Sequence, residues 1–113
     1  MAQRNVLVVD DDAEIRDYLA LALRALGHHV QVAAHPDAVA AGAAPDVALV
    51  DLLVPDGASV APLVARLAAT GCRVVLITGL SLDAPVVQSA LAAGAQAVLQ
   101  KPFSLDAVRA EVG

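Results

Sequence analysis

Aromatic residues are almost missing from this chain. Among its 113 residues, Tyr18 and Phe103 are the only aromatics, and tryptophan is absent. Stacking of nucleobases therefore has almost no platform. Cysteine is equally scarce: Cys72 stands alone, which excludes an internal disulfide and gives no metal cluster. At the head of an apolar run, Cys72 reads as a buried strand-start residue rather than a nucleophile. Positive charge is also short. Seven Lys and Arg face twelve Asp and Glu, for a net charge of −5, which argues against non-specific binding to nucleic acid phosphates. No apolar stretch reaches the ~20 residues that span a bilayer. Met1 to Asn5 is polar and the apolar run after it is short, unlike a secretory signal. These absences point to a soluble cytoplasmic domain with neither nucleic acid nor membrane as partner.

What the chain does have is apolar surface, 58% of its residues, in a length that makes one ordinary domain over residues 1–113 with a real core. The apolar residues come in short unbroken runs, as buried parallel strands do. Runs at Val6 to Val9, within His28 to Ala33, at Val47 to Val50, Arg73 to Thr78 and Ala97 to Gln100 predict five strands. Between them lie helical patterns. Ile15, Leu19, Leu23 and Leu26 form one inward face before a stop at Gly27. Pro36 opens a weak, Ala-rich second helix that ends near Gly42. Ser59 to Ala69 places Val60, Leu63, Val64 and Leu67 inward and stops at Gly71. Pro85 starts a helix that runs to about Ala93, with Gly94 behind it. Ser104 caps a last helix with Leu105, Val108 and Val112 inward. A βα unit repeated five times predicts a parallel α/β sheet with right-handed crossovers.

Four strand ends carry chemistry. VLVVDDD ends on Asp10, Asp11 and Asp12. VALVD ends on Asp51, followed by the turn cluster Pro55-Asp56-Gly57. VVLIT ends on Thr78, and AVLQK on Lys101 before Pro102. Ligands of open α/β sheets bind outside the carboxyl ends of the strands, so these groups should meet in one crevice. Gathered carboxylates repel, and a hard divalent cation such as Mg²⁺ relieves that repulsion. Thr78 can donate to an incoming oxyanion, and Lys101 can pair with it as a point charge. A carboxylate nucleophile, a metal, a hydroxyl and an ammonium are the parts for phosphoryl transfer to an aspartate. Taken singly, each feature has a plainer reading. Asp11 and Glu14 can form a capping box, Asp51 can begin a turn, Thr78 is a common strand former, and Lys101 can be merely solvated. His28, His29 and His35 have no metal-site spacing and read as surface or loop residues.

VLVVDDD, PDVALVDLLVPDG, VVLITG and GAQAVLQKPF together resemble the receiver domain of bacterial two-component response regulators, over essentially the whole chain. The resemblance implies a flavodoxin-like, doubly wound (βα)5 fold with its parallel sheet in the order 2-1-3-4-5. It implies Asp51 as phosphoacceptor, Asp11 as a direct Mg²⁺ ligand, Asp10 acting largely through water, and the Leu53 carbonyl completing the protein's share of the metal shell. Thr78 resembles the switch hydroxyl, and Lys101 the phosphate-pairing lysine before a cis Pro102. The phosphoryl donor would be a phosphohistidine on a sensor histidine kinase or histidine phosphotransfer protein. The output would be contact with a downstream protein. Such a domain is no enzyme in the ordinary sense, although it assists its own phosphorylation and dephosphorylation.

Three positions depart from the family pattern. Val98 stands where an aromatic is usual, which removes a ring from the switch and shifts the expected coupling to the loop from Thr78 to Asp83. Gly79 replaces a usual Ala, and Ser59 a usual Gly. Two rival readings stand beside this one. A degenerate receiver would act as a binding scaffold without phosphorylation, and the complete acid, hydroxyl and lysine set counts against it. A flavodoxin-like cofactor binder would want a Ser/Thr/Gly-rich loop after the first strand, where this chain has acids. Met1 and the end at Gly113 suggest a stand-alone receiver, with excision from a longer regulator as the alternative.

Overall fold

The computed structural model describes residues 3–52 and 60–113. Five strands, β1 (Asn5–Val9), β2 (His29–Ala33), β3 (Val47–Asp51), β4 (Arg73–Thr78) and β5 (Ala97–Gln100), form one sheet in the order β2-β1-β3-β4-β5. Every pairing is parallel. The helices are α1 (Ala13–Ala25), α2 (Ala61–Ala69), α3 (Pro85–Ala92) and α4 (Leu105–Val112). Among the described residues no helix is long and apolar enough to cross a membrane.

Alternation along the strands splits the core into two layers, because successive side chains of a strand point to opposite faces. Val6, Val8, Val47, Leu49, Val75 and Ile77 pack with Leu19 and Leu23 of α1 and Val108 and Val112 of α4. Leu7, Val9, Ala48, Val50, Val74 and Leu76 pack with Leu63, Val64 and Leu67 of α2 and Val87 and Ala90 of α3. All five residues of β3 are buried, as befits the central strand of a doubly covered sheet. The inward faces read from the sequence hold, with Ile15 and Leu26 only partly buried at the ends of α1 and Leu105 partly buried in α4. Ser104 caps α4, its Oγ accepting from Ala107 N at 3.1 Å. Cys72 is buried just before β4.

The expected second helix is not formed. Only a 3-10 turn, Pro36–Ala38, follows β2, so the fold has four α-helices among the described residues rather than five. The reason is local. His35 Nδ1 accepts from Asp37 N at 3.1 Å and starts a turn, but Val39 then goes extended at φ −79°, ψ 126° and buries its side chain in the core. Too few residues remain before Pro45 to offset the cost of nucleating a helix. Two further expectations need correction. His28 is buried, not a surface residue, and its Nδ1 accepts from Arg4 N at 3.1 Å, tying β1 to the entry of β2. The cap of α1 is Asp12, not Asp11, with Asp12 Oδ1 accepting from Glu14 N at 2.9 Å. The α2 helix begins at Ala61 with Val60 before it. Ser59, where its start was expected, lies outside the described residues.

Gly94 closes α3 at φ +125°, where a Cβ would come within 2.8 Å of the Ala68 Cβ on α2. Both the backbone conformation and the close helix approach therefore require glycine. Gly94→Ala should destabilise the protein by about 2 kcal/mol or more, on the order of 10 °C in Tm. Gly42→Ala, with open space around it and no positive φ, should stay within about 1 kcal/mol of wild type in the same thermal melts.

Candidate functional site

The carboxyl ends of β1, β3, β4 and β5 converge. β1 and β3 are neighbours, with Val9 paired to Val50, so the residues that follow each, Asp10 and Asp51, stand side by side at the sheet edge. Both are essentially buried, as is Thr78. Asp11, on the loop that leads into α1, is exposed. Carboxylate oxygens of Asp10, Asp11 and Asp51 lie within 4.8 Å of one another. At that separation, and at an effective dielectric constant of about 20, two unit charges repel by roughly 3.5 kcal/mol.

Lys101 supplies the opposing charge. Its Nζ is 3.7 Å from Asp51 Oδ1 and 3.9 Å from Asp10 Oδ2. The amine is placed by the β4–β5 ladder: Lys101 N donates to Thr78 O at 2.8 Å, and a cis peptide joins Lys101 to Pro102. One ammonium cannot neutralise three carboxylates, so the cluster keeps an excess of negative charge. Asp10 shows where the compensation falls short. Its Oδ1 accepts from Asp12 N at 2.9 Å, whereas its buried Oδ2 has no hydrogen-bond partner. A buried carboxylate oxygen without a donor is costly. The hard oxygen donors here suit Mg²⁺ or a similar cation. Leu53, whose carbonyl was the fourth expected ligand, lies outside the described residues.

Thr78 follows the β4 residue paired with Asp51, Ile77. Its hydroxyl accepts from Leu80 N at 3.0 Å, which leaves the hydroxyl proton to donate elsewhere. The sequence-predicted set Asp10, Asp11, Asp51, Thr78 and Lys101 thus occupies one edge of the sheet. Two contacts there escape a sequence reading. Arg16 Nη1 donates to Asp10 O at 2.9 Å, holding the β1–α1 loop from one turn into the helix. Gln100 Nε2 donates to Leu80 O at 3.1 Å. The only hint of either was position: Arg16 one turn after the Asp12 cap, and Gln100 immediately before Lys101. Beyond the acids, Glu14, Ile15, Tyr18, Lys101, Pro102 and Phe103 line a mostly apolar cleft between α1 and the end of β5. At the far side of Thr78, the Ser81 hydroxyl donates to Asp83 and holds that carboxyl below the usual carboxylate range.

The model of the response regulator receiver domain family matches residues 6–113. The chain belongs to that family: it is a receiver domain of two-component response regulators with an acidic pocket at Asp10, Asp11 and Asp51. Among solved structures it is similar to a BeF3-activated DrrB receiver domain, at 27% identity over 98% of this chain and 95% of that one, with a TM-score of 0.82. It is similar to the chemotaxis response regulator CheY4 of Vibrio cholerae, at 26% identity over 97% and 99%, with a TM-score of 0.81. A response regulator protein from Burkholderia pseudomallei with a phosphorylated aspartic acid, calcium ion and citrate matches at 26% identity over 98% and 67%, with a TM-score of 0.84. No curated protein matches the chain.

Cys72 stands outside this chemistry. Burial, reinforced by the charge of Asp46, pushes its thiol up from 9.0 to about 11. A thiol that far from its thiolate is a poor nucleophile. Cys72 should resist alkylation in the native protein and react fully once unfolded. Because its pKa is raised on folding, its contribution to stability is complete below pH 9.0 and is lost as pH rises through about 11. Replacing Cys72 with Ala or Val should flatten that part of an alkaline stability profile.

Proposed function

We propose that this receiver accepts a phosphoryl group on Asp51 from a phosphohistidine and signals through altered protein–protein contacts. The observation that carries the proposal is the pairing of the buried Asp51 carboxylate with Lys101 Nζ at 3.7 Å, beside an Asp10 oxygen that lacks a hydrogen-bond partner. An Asp51 oxygen attacks phosphorus, the N–P bond breaks, and the imidazole nitrogen leaves with the bonding electron pair. Lys101 neutralises charge on the transferred group, and the Thr78 hydroxyl donates to one of its oxygens. Asp10, Asp11 and Asp51, with the Leu53 carbonyl, would hold Mg²⁺. The cation would supply further charge neutralisation for the phosphoryl oxygens. The residues fix positions and charge, which is most of what phosphoryl transfer asks of a protein. The Burkholderia relative, with its phosphorylated aspartic acid and calcium ion, supports this reading.

The donor would be a sensor histidine kinase or a histidine phosphotransfer protein. The cleft beside the acids supports that assignment, since Tyr18 is half exposed and Ile15, Pro102 and Phe103 give apolar surface for a partner helix. A downstream protein would read the β4–α3 loop and the first turn of α3, where Leu82 and Val86 are exposed. All of this suits a domain working in the cytoplasm.

Acetyl phosphate with Mg²⁺ should add one phosphoryl mass to the intact protein, and Asp51→Asn should abolish the gain. Wild type that gains nothing would favour a phosphorylation-independent scaffold. The metal has its own readout. Mg²⁺ at a hundredfold excess over its Kd should stabilise wild type by about 2.7 kcal/mol, seen as a rise in Tm. Asp11→Ala should lose that response, and its metal-free form should melt no lower than wild type, because a repelling charge has gone. A full Mg²⁺ response in Asp11→Ala would remove Asp11 from the metal site.

A further inference from the structure

We infer that Gln100 is a latch that holds the loop between β4 and α3 in its unphosphorylated position. The inference rests on the reading of Asp51 as phosphoacceptor and Thr78 as the hydroxyl that turns toward it. Gln100 is the last residue of β5 and the register partner of Thr78. Its Nε2 donates to Leu80 O at 3.1 Å, while Leu80 N donates to Thr78 Oγ1 at 3.0 Å. Leu80 is thus held at both backbone groups, by the hydroxyl that would move and by an amide that would not.

The other side-chain bonds of this loop are local. Ser81 meets Asp83 two residues on, and Gln88 Nε2 reaches Leu82 O at 2.7 Å from six residues away. Gln100 reaches in from twenty residues away, on a different strand. That strand is fixed at this point, because Lys101 N donates to Thr78 O at 2.8 Å. Val98 lies two residues earlier on the same face of β5 and packs with Leu80 against one core layer. Its short side chain offers no hydrogen bond, so the polar contact from β5 to the loop falls to Gln100.

The geometry makes the two bonds compete. A hydroxyl that accepts from Leu80 N can also donate to a phosphoryl oxygen. If Thr78 turns toward Asp51 and keeps Leu80 N, it draws Leu80 along and pulls its carbonyl away from Gln100. The Gln100 bond therefore exists in one loop position and not in the other. A hydrogen bond of ordinary net strength made in only one state biases an equilibrium by about three- to tenfold. A phosphoryl mimic must overcome that bias before it can bind to the competent state.

Gln100→Met keeps the length of the side chain, removes the donor and leaves the charge unchanged. Beryllofluoride with Mg²⁺, titrated by NMR, should bind this variant about three- to tenfold more tightly than wild type. A glutamine that merely supported the structure would give equal or weaker binding on removal, which overturns the latch. In the absence of beryllofluoride, amide hydrogen exchange at residues 79 to 84 should quicken in Gln100→Met. Unchanged exchange there also overturns the latch, whatever the mimic does. Wild type that fails to bind beryllofluoride removes the phosphoacceptor reading and the latch with it. Wild type that binds while Gln100→Met gains nothing removes the latch alone.

Discussion

Two carboxylates buried beside one half-buried ammonium are the constraint on which the site depends. Asp10 and Asp51 are nearly inaccessible, and among the described residues it is Lys101 that stands within ion-pair distance of both. The sheet order creates this problem and limits it. Because β1 and β3 are neighbours at the centre, their terminal acids cannot move apart. Because β5 lies beyond β4, Lys101 must reach across a strand, which leaves its amine near 4 Å from each acid rather than in tight contact. A shorter bridge would settle the charges on one another. This looser one leaves a carboxylate oxygen of Asp10 without a hydrogen-bond donor.

That arrangement is tolerated because the rest of the molecule is ordinary. Both sheet faces are covered by interlocking aliphatic side chains, and the central strand is wholly buried. The acid cluster also sits at the start of α1, whose 13 residues present the positive end of the helix dipole to it. Asp12 meets the first free amides of that helix, and Arg16 returns from its next turn to hold the Asp10 carbonyl. These contacts brace the backbone around the acids without neutralising the acids themselves. A site kept short of positive charge in a well-packed frame follows the usual compromise between stability and function.

The sheet was legible because burial on both faces writes itself as unbroken apolar runs. Arg73–Thr78 and Ala97–Gln100 appear with the bounds the pattern suggests. The convergence of Asp10, Asp51, Thr78 and Lys101 was legible for the same reason, since each polar residue ends such a run. The second helix was misread because Pro36 and the alanines after it carry a helix signal, whereas Val39 gains more by turning into the core. His28 was misread because nothing local marks a histidine whose ring nitrogen accepts from a distant backbone amide. The choice of Asp12 over Asp11 as helix cap depends on the path of a loop, not on composition. Gln100 is the same kind of case: its partner lies on a loop twenty residues away, and no spacing rule brings the two together.

The contrast between the acid cluster and the neighbouring loop explains how a local charge event could become a change of shape. At the acids, interactions are strong, close and braced by buried backbone. At Leu80 to Asp83, the side-chain contacts are single hydrogen bonds at or near the surface. Each such bond can be exchanged for one to water, so its net contribution is only on the order of 1 kcal/mol. A switch element must be weak in this sense, because a ligand can shift an equilibrium only by the difference in its affinity for the two states. Thr78 joins the regimes. Its side chain is buried with the acids, while its oxygen accepts from the amide of Leu80. On the proposed function, charge placed on Asp51 would act on that hydroxyl from the neighbouring strand, and the hydroxyl would act on a loop whose restraints are individually small. With Val98 contributing only apolar contact, the path from site to surface needs no large side chain to rotate. It needs only that the bonds holding Leu80 be weaker than the attraction of Thr78 for a phosphoryl oxygen.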